Sequence, residues 1–196
     1  HGRANRQKSA VPTISLVGYT NAGKSSLFNR LTNENIYAAN QLFATLDPTL
    51  RSLAWPGVGN VVLVDTVGFV RHLPHELVEA FHATLEETLE ADLLLHVIDS
   101  SRDDMHEQIE AVKNVLAEID NNVPTLSVYN KIDLTGEPPH IGYSEAGKPN
   151  RVYISAHTGQ GIDELTLAVQ QLVVGQLQAF DLTLPPNFGQ LQHELH

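Results

Sequence analysis

Thr13-Ile14-Ser15-Leu16-Val17-Gly18-Tyr19-Thr20-Asn21-Ala22-Gly23-Lys24-Ser25-Ser26 is the stretch that decides the fold. Its first five residues form a short β-rich run, Gly18 ends it, and a helix-forming sequence begins near Lys24, so strand, loop and helix follow one another. Within that frame Gly18, Gly23, Lys24 and Ser25 fall at the offsets of a phosphate-binding loop. The glycines let backbone N–H groups turn toward a β-phosphate, and the helix N-terminus adds its positive end. Lys24 reaches the β/γ oxygens and the Ser25 hydroxyl ligates Mg²⁺. Gly18, Tyr19, Thr20, Asn21, Ala22, Gly23, Lys24, Ser25 and Ser26 are therefore the expected phosphate-contacting set. The bland alternative, a Gly-rich turn with an incidental lysine, is weakened by the flanking strand and helix.

Outward from this loop the pattern repeats. Residues 50–55 and 60–64 are strand candidates joined by Pro56-Gly57-Val58-Gly59, too short for a crossover helix, so an antiparallel hairpin is predicted. Leu73, Leu77, Phe81, Leu85 and Leu89 recur every four residues after Pro74, as a helix requires. Leu93 to Ile98 is a near-continuous apolar run, the mark of a strand buried on both faces. Met105, Ile109, Val112, Leu116 and Ile119 predict an amphipathic helix behind Asp103 and Asp104. Residues 124–129 and 151–154 are the last predicted strands, and Ile162, Leu165, Val169, Leu172 and Val173 mark the last helix. Residues 133–150 show no helical pattern and are expected to be an irregular loop. Strands alternating with helices imply an α/β domain with a mostly parallel sheet, helices on both faces, and ligands at the carboxyl ends of the strands.

Two further motifs stand at such ends. Asp65-Thr66-Val67-Gly68 follows the apolar run 61–64, where the carboxylate can hold Mg²⁺ through water and the Gly68 amide can approach a γ-phosphate. Asn130-Lys131-Ile132-Asp133 follows the strand at 126–129 and separates guanine from adenine. The Asp133 carboxylate accepts from guanine N1–H and the 2-amino group, the Asn130 amide addresses N7 and O6, and the Lys131 stem lies along the base. Ser155-Ala156 adds an amide expected to donate to guanine O6.

In combination these motifs resemble those of the translation-factor-related GTPases, and residues 18–29, 37–49 and 65–88 resemble the HflX family. The likeness runs from about residue 3 to about residue 180. It implies a three-layer, Ras-like P-loop domain whose mostly parallel sheet has six strands, one of them antiparallel. It implies that Phe43, Ala44, Thr45, Leu46 and Asp47 cover the nucleotide, with Thr45 rather than Thr49 ligating Mg²⁺, and that Phe69 and its neighbours form switch two. GTP and GDP are the implied substrate and product, and Asn21, Lys24, Thr45 and Gly68 the implied catalytic set. The family is similar in being cytoplasmic and in binding the large ribosomal subunit to split stalled or idle ribosomes. Its members carry an amino-terminal domain outside this chain. Phe69 stands where related enzymes place a water-orienting Gln and has no donor or acceptor. Asn21 resembles the Asn that helps several such GTPases hold K⁺ against the phosphates; the alternative is that its side chain bonds its own loop.

Composition agrees. The 196 residues, 42% hydrophobic and 18% charged, suit one domain, and zero cysteines exclude disulfides and thiolate metal sites. No apolar run approaches the ~20 residues of a spanning helix, and no membrane partner is expected. A formal charge of −11 argues against a fold-wide nucleic-acid surface, although Arg3, Arg6, Lys8, Lys24 and Arg30 all precede the first acidic residue, Glu34. Residues 1–10 are expected to be a basic linker from a longer protein, 11–178 a monomeric GTP-binding domain and 179–196 a second linker. His75, Glu79 and His82 share one helical face, which is read as solvated rather than metal-binding. A P-loop kinase has no use for the Asn130 motif. A GTP-dependent recruiting module with incidental turnover is the alternative to a GTPase proper.

Overall fold

The computed structural model describes residues 11–33, 49–66, 68–69, 82–83, 85–86, 90–118 and 122–181. The elements are β1 (Thr13–Gly18), α1 (Lys24–Thr32), β2 (Thr49–Trp55), β3 (Gly59–Asp65), β4 (Leu93–Asp99), α2 (Met105–Glu118), β5 (Thr125–Asn130), α3 (Ile132–Thr135), β6 (His140–Tyr143), β7 (Pro149–Tyr153) and α4 (Ile162–Asp181). They build one seven-stranded sheet in the order β2-β3-β1-β4-β5-β7-β6. The five strands from β3 to β7 run parallel, and the edge strands β2 and β6 are antiparallel to their neighbours. The α/β class, the parallel centre and the β2–β3 hairpin are as predicted.

Alternation along the strands divides the core between the two faces of the sheet. Ile14 and Leu16 of β1, Leu93, Leu95 and Val97 of β4, and Leu126 and Val128 of β5 pack with Leu27 and Phe28 of α1 and Leu165, Val169 and Val173 of α4. Val17 and Leu94 point the other way, toward Phe69, Leu85 and the Val112 and Leu116 stripe of α2. All seven residues of β4 are buried, as a central parallel strand between two helical layers must be. Of the predicted helix bearing Leu73, Leu77, Phe81, Leu85 and Leu89, Leu85 is helical and fully buried; the other four lie outside the described residues.

One expectation is overturned. Residues 133–150 are not an irregular loop: they hold α3 and the strand β6, so the sheet has seven strands, not six, and two antiparallel ones. Gly136 at φ 78° caps α3, and Pro138 and Pro139 prevent the helix from continuing. The chain then turns back through Gly147 at φ 77°, where the Ser144 N–H donates to Lys148 O and the Gly147 N–H to Ser144 O. β6 is four residues long, and β-favouring Ile141 and Tyr143 are interrupted by Gly142, a run too short to mark a strand by itself. It forms because β7 offers an open edge and Ile141 can reach the core beneath it.

Candidate functional site

The parallel strands deliver their carboxyl ends to one rim, and every described site residue is found there. Between β1 and α1 the loop turns sharply, with Asn21 at φ 65° and Gly23 at φ 98°. A Cβ on Gly23 would overlap the Asn130 side chain, and one on Gly18 would overlap the Val97 carbonyl, so both positions need glycine for close approach. Gly68 fits the same way: an added Cβ would lie 2.9 Å from Thr20 Cγ2 and 3.1 Å from its Cα. The strand end after β3 is stitched to the loop by Phe69 N–H to Gly18 O at 2.9 Å and Thr20 N–H to Phe69 O at 2.7 Å. Gly68 is thereby brought against the phosphate loop. The Asn21 side chain is exposed, and among the described residues it makes no hydrogen bond to its own loop.

Lys24, Ser25 and Asp65 converge. Ser25 Oγ donates to Asp65 Oδ2 at 3.1 Å, and Lys24 Nζ lies 3.9 Å from Asp65 Oδ1. Lys24 is 7% exposed and Asp65 2%. Burial pushes the Lys24 ammonium below its ordinary pKa and Asp65 opposes that shift, so the cation is poorly solvated and free to bond an incoming anion strongly. The hydroxyl and carboxylate are hard oxygen donors side by side, the set that Mg²⁺ takes when it keeps several waters and shares substrate phosphates. These residues fit Mg²⁺. The Thr66 side chain is fully buried and its hydroxyl donates to Leu16 O at 2.7 Å, pinning the end of β3 to β1.

The second half of the site is a cavity of about 240 Å³ bounded by Gly23, Ser26, Asn130, Lys131, Asp133, Leu134, Ala156 and His157. Asn130, 2% exposed, spans it as a strut: Nδ2 donates to Ala22 O at 3.0 Å and Oδ1 accepts from the Ala156 N–H at 2.9 Å. One Nδ2 hydrogen remains for a base, whereas the Ala156 N–H assigned above to guanine O6 is engaged by Asn130. Lys131, at φ 71°, bends over the phosphate loop and donates from Nζ to Asn21 O and to Asp99 Oδ2, both at 2.8 Å. Its stem is thus laid flat between the loop and β4. Asp133 Oδ1 accepts from Ser155 Oγ at 2.7 Å, which fixes the carboxylate's rotation and leaves its other oxygen for the cavity.

Sequence reasoning misses two residues, Asp99 and Arg30, and the role of a third, Ser155. Asp99 ends the apolar run of β4 as Asp65 ends that of β3, a positional signal that was available. Burial acts to raise its pKa, but hydrogen bonds from Lys131 and Ser101 outweigh burial and hold the carboxyl below its usual range. Ser155 was assigned to the site without its role as the Asp133 partner. Arg30 was read only as part of a basic region. Phe43, Ala44, Thr45, Leu46, Asp47 and Val67, like His75 and Glu79, lie outside the described residues, and among those described no cluster of three metal-ligating side chains occurs.

A phosphate loop with a buried lysine, a hydroxyl–carboxylate pair beside it, and a base cavity lined by Asn130 and Asp133, all on the rim of a parallel sheet, define a P-loop GTPase. Residues 13–131 match the family described as 50S ribosome-binding GTPase, and the chain belongs to that family. The HflX likeness read from the sequence is borne out: GTPase HflX of Escherichia coli strain K12 is 55% identical over all of this chain, and that of Caldanaerobacter subterraneus 46% identical over 93% of it. The chain spans about half the length of these relatives, 46% and 42% respectively. Among solved structures, a GTP-binding protein of Sulfolobus solfataricus in complex with GDP superposes with a TM-score of 0.67 at 30% identity, covering 84% of this chain and 53% of that one. Era of Aquifex aeolicus bound to GDP and aluminium fluoride shares the fold, with a TM-score of 0.68 at 24% identity over 83% of this chain and 56% of that one. The chain thus carries the GTP-binding domain of this family.

Proposed function

We propose that GTP lies across the rim with its phosphates on residues 18–26 and its base in the Asn130/Asp133 cavity, and that hydrolysis here serves as a switch on the large ribosomal subunit in the full-length protein. Asn130 carries this reading: one buried amide joins the phosphate loop at Ala22 to the loop at Ala156, which supports a single ligand lying across both. Mg²⁺ would be held by Ser25 and Thr45 and, through water, by Asp65. When bound it neutralises charge on the β- and γ-oxygens. Lys24 supplies a fixed positive charge at the same oxygens, the Gly68 N–H meets the γ-phosphate, and Asp133 selects guanine. Phe69 contributes no hydrogen bond to water, so a further positive group must act; Asn21, exposed at the loop, is assigned to K⁺, which would stand where an arginine finger otherwise does.

The ribosomal role draws on the family's description and on the HflX relatives, and the cytoplasm is the compartment such a role requires. No described helix is long and apolar enough to cross a membrane. The test is multiple-turnover GTP hydrolysis by the full-length protein and by this chain, each with and without large ribosomal subunits. Strong stimulation of the full-length protein, with weak or no stimulation of this chain, is expected. Turnover indifferent to subunits in both would favour the recruiting-module reading.

A further inference from the structure

We propose that Arg30 is a positioning residue for guanine recognition, acting on Asn130 and Asp133 through the loop that follows β7. The inference rests on the guanine reading of the cavity. Arg30 lies in the last turn of α1, and its guanidinium holds two successive carbonyls of that loop: Nε donates to Ala156 O at 2.5 Å and Nη2 to His157 O at 2.8 Å. Gly159, at φ 89°, keeps the loop close; a Cβ there would stand 3.0 Å from Nη1.

The loop so gripped supplies both supports of the base-reading pair. Ser155 Oγ orients Asp133, and the Ala156 N–H holds Asn130 Oδ1. Arg30 is hydrogen-bonded to neither Asn130 nor Asp133, yet each is bonded to a residue at or beside an Arg30 contact. The same helix carries Lys24 and Ser25 in its first turn, so Arg30 ties the base loop to the body that holds the phosphates. A planar guanidinium can fix two carbonyls at once, whereas the lysine ammonium on its flexible stem holds them far less rigidly. The function assigned to Arg30 is thus to set the angle between base loop and phosphate loop, and its loss should be felt most by the groups that read guanine.

The experiment compares GDP with inosine diphosphate, which lacks the 2-amino group that Asp133 accepts from, by competition against a fluorescent GDP. The parent chain, Arg30→Ala and Arg30→Lys are measured well below their unfolding temperatures. GDP affinity should fall about tenfold in Arg30→Ala and inosine diphosphate affinity about threefold, so that the preference for GDP shrinks about threefold. Arg30→Lys should be intermediate in both affinities and in their ratio. A GDP preference unchanged in both variants overturns the proposal, whether the two affinities stay constant or fall together as in a general loss of structure. If Arg30→Ala does not fold, the ratio in Arg30→Lys decides. A parent chain that binds the two nucleotides equally would instead overturn the guanine reading itself.

Discussion

The Ser155 hydroxyl donates to Asp133 Oδ1 at 2.7 Å, joining the residue proposed to read guanine to the loop after β7. Ser155 is fully buried and also accepts from the Thr158 N–H at 3.0 Å, so one hydroxyl sets both the carboxylate's rotation and the turn beside it. Ser155→Ala should lower GDP affinity about tenfold, the value of one charge-assisted hydrogen bond, with little change in the turnover number at saturating GTP. Titration calorimetry with GDP checks the first effect and steady-state kinetics the second.

Lys24 and Phe69 should separate cleanly. Lys24→Ala removes the buried cation beside Asp65 and should lower turnover by about a hundredfold or more. Phe69 is 4% exposed and packs in the core formed with Val17, Leu85 and α2, so Phe69→Ala should cost about 3–5 kcal/mol of stability. Its intrinsic hydrolysis, measured on folded protein, should still lie within about tenfold of the parent. A Phe69→Leu variant, which keeps apolar bulk, provides the control. Folded Phe69→Ala as inactive as Lys24→Ala would give the ring a part in shaping the water site.

Hydrolysis should run faster in KCl than in NaCl at equal ionic strength, and Asn21→Ala should remove the difference while leaving GDP binding nearly intact. The exposed Asn21 side chain makes no bond to its own loop among the described residues, so what Asn21→Ala costs that loop is the strain of an alanine at φ 65°, about 1 kcal/mol. Equal rates of the parent in the two salts would end the K⁺ assignment.

Stability should depend on pH through His96. Buried in β4, its imidazole is pushed down from 6.5 to about 4, first by burial and then by Lys113. Because the unfolded chain takes up this proton more readily, the neutral ring carries no penalty above pH ~6.5, and stability falls as pH drops from there toward ~4, by about 3 kcal/mol in all. Asp99, whose carboxyl is depressed, loses its contribution only at lower pH. His96→Gln should therefore lose less stability than the parent between about pH 7 and pH 5, measured as Tm. Parallel Tm profiles would contradict the assignment.

What could be read from sequence was whatever depends on neighbours in the chain. The glycines, Lys24 and Ser25 make a phosphate loop because the strand before them and the helix after them are local, and Asp65 and Asn130 follow recognisable apolar runs. What could not be read depends on contacts across the fold. Asn130 meets Ala22 over 108 residues and Arg30 meets Ala156 over 126, and no spacing rule reports such pairs. β6 escaped for a related reason: four residues are too few to mark a strand, and the open edge of β7 decides that they form one. Asp99 obeyed the same rule as Asp65 and was legible in principle.

The most direct test of the account is the base preference of Asp133→Asn. The substitution replaces an acceptor by a donor opposite guanine N1–H and its 2-amino group, while xanthine offers an oxygen at that position. Competition titration of the parent and the variant with GTP, XTP and ATP should show the parent selecting GTP, and the variant losing GTP by more than about a hundredfold while gaining XTP. A variant that still prefers GTP, or a parent that binds ATP as well as GTP, would contradict the claim that this cavity reads guanine through Asp133.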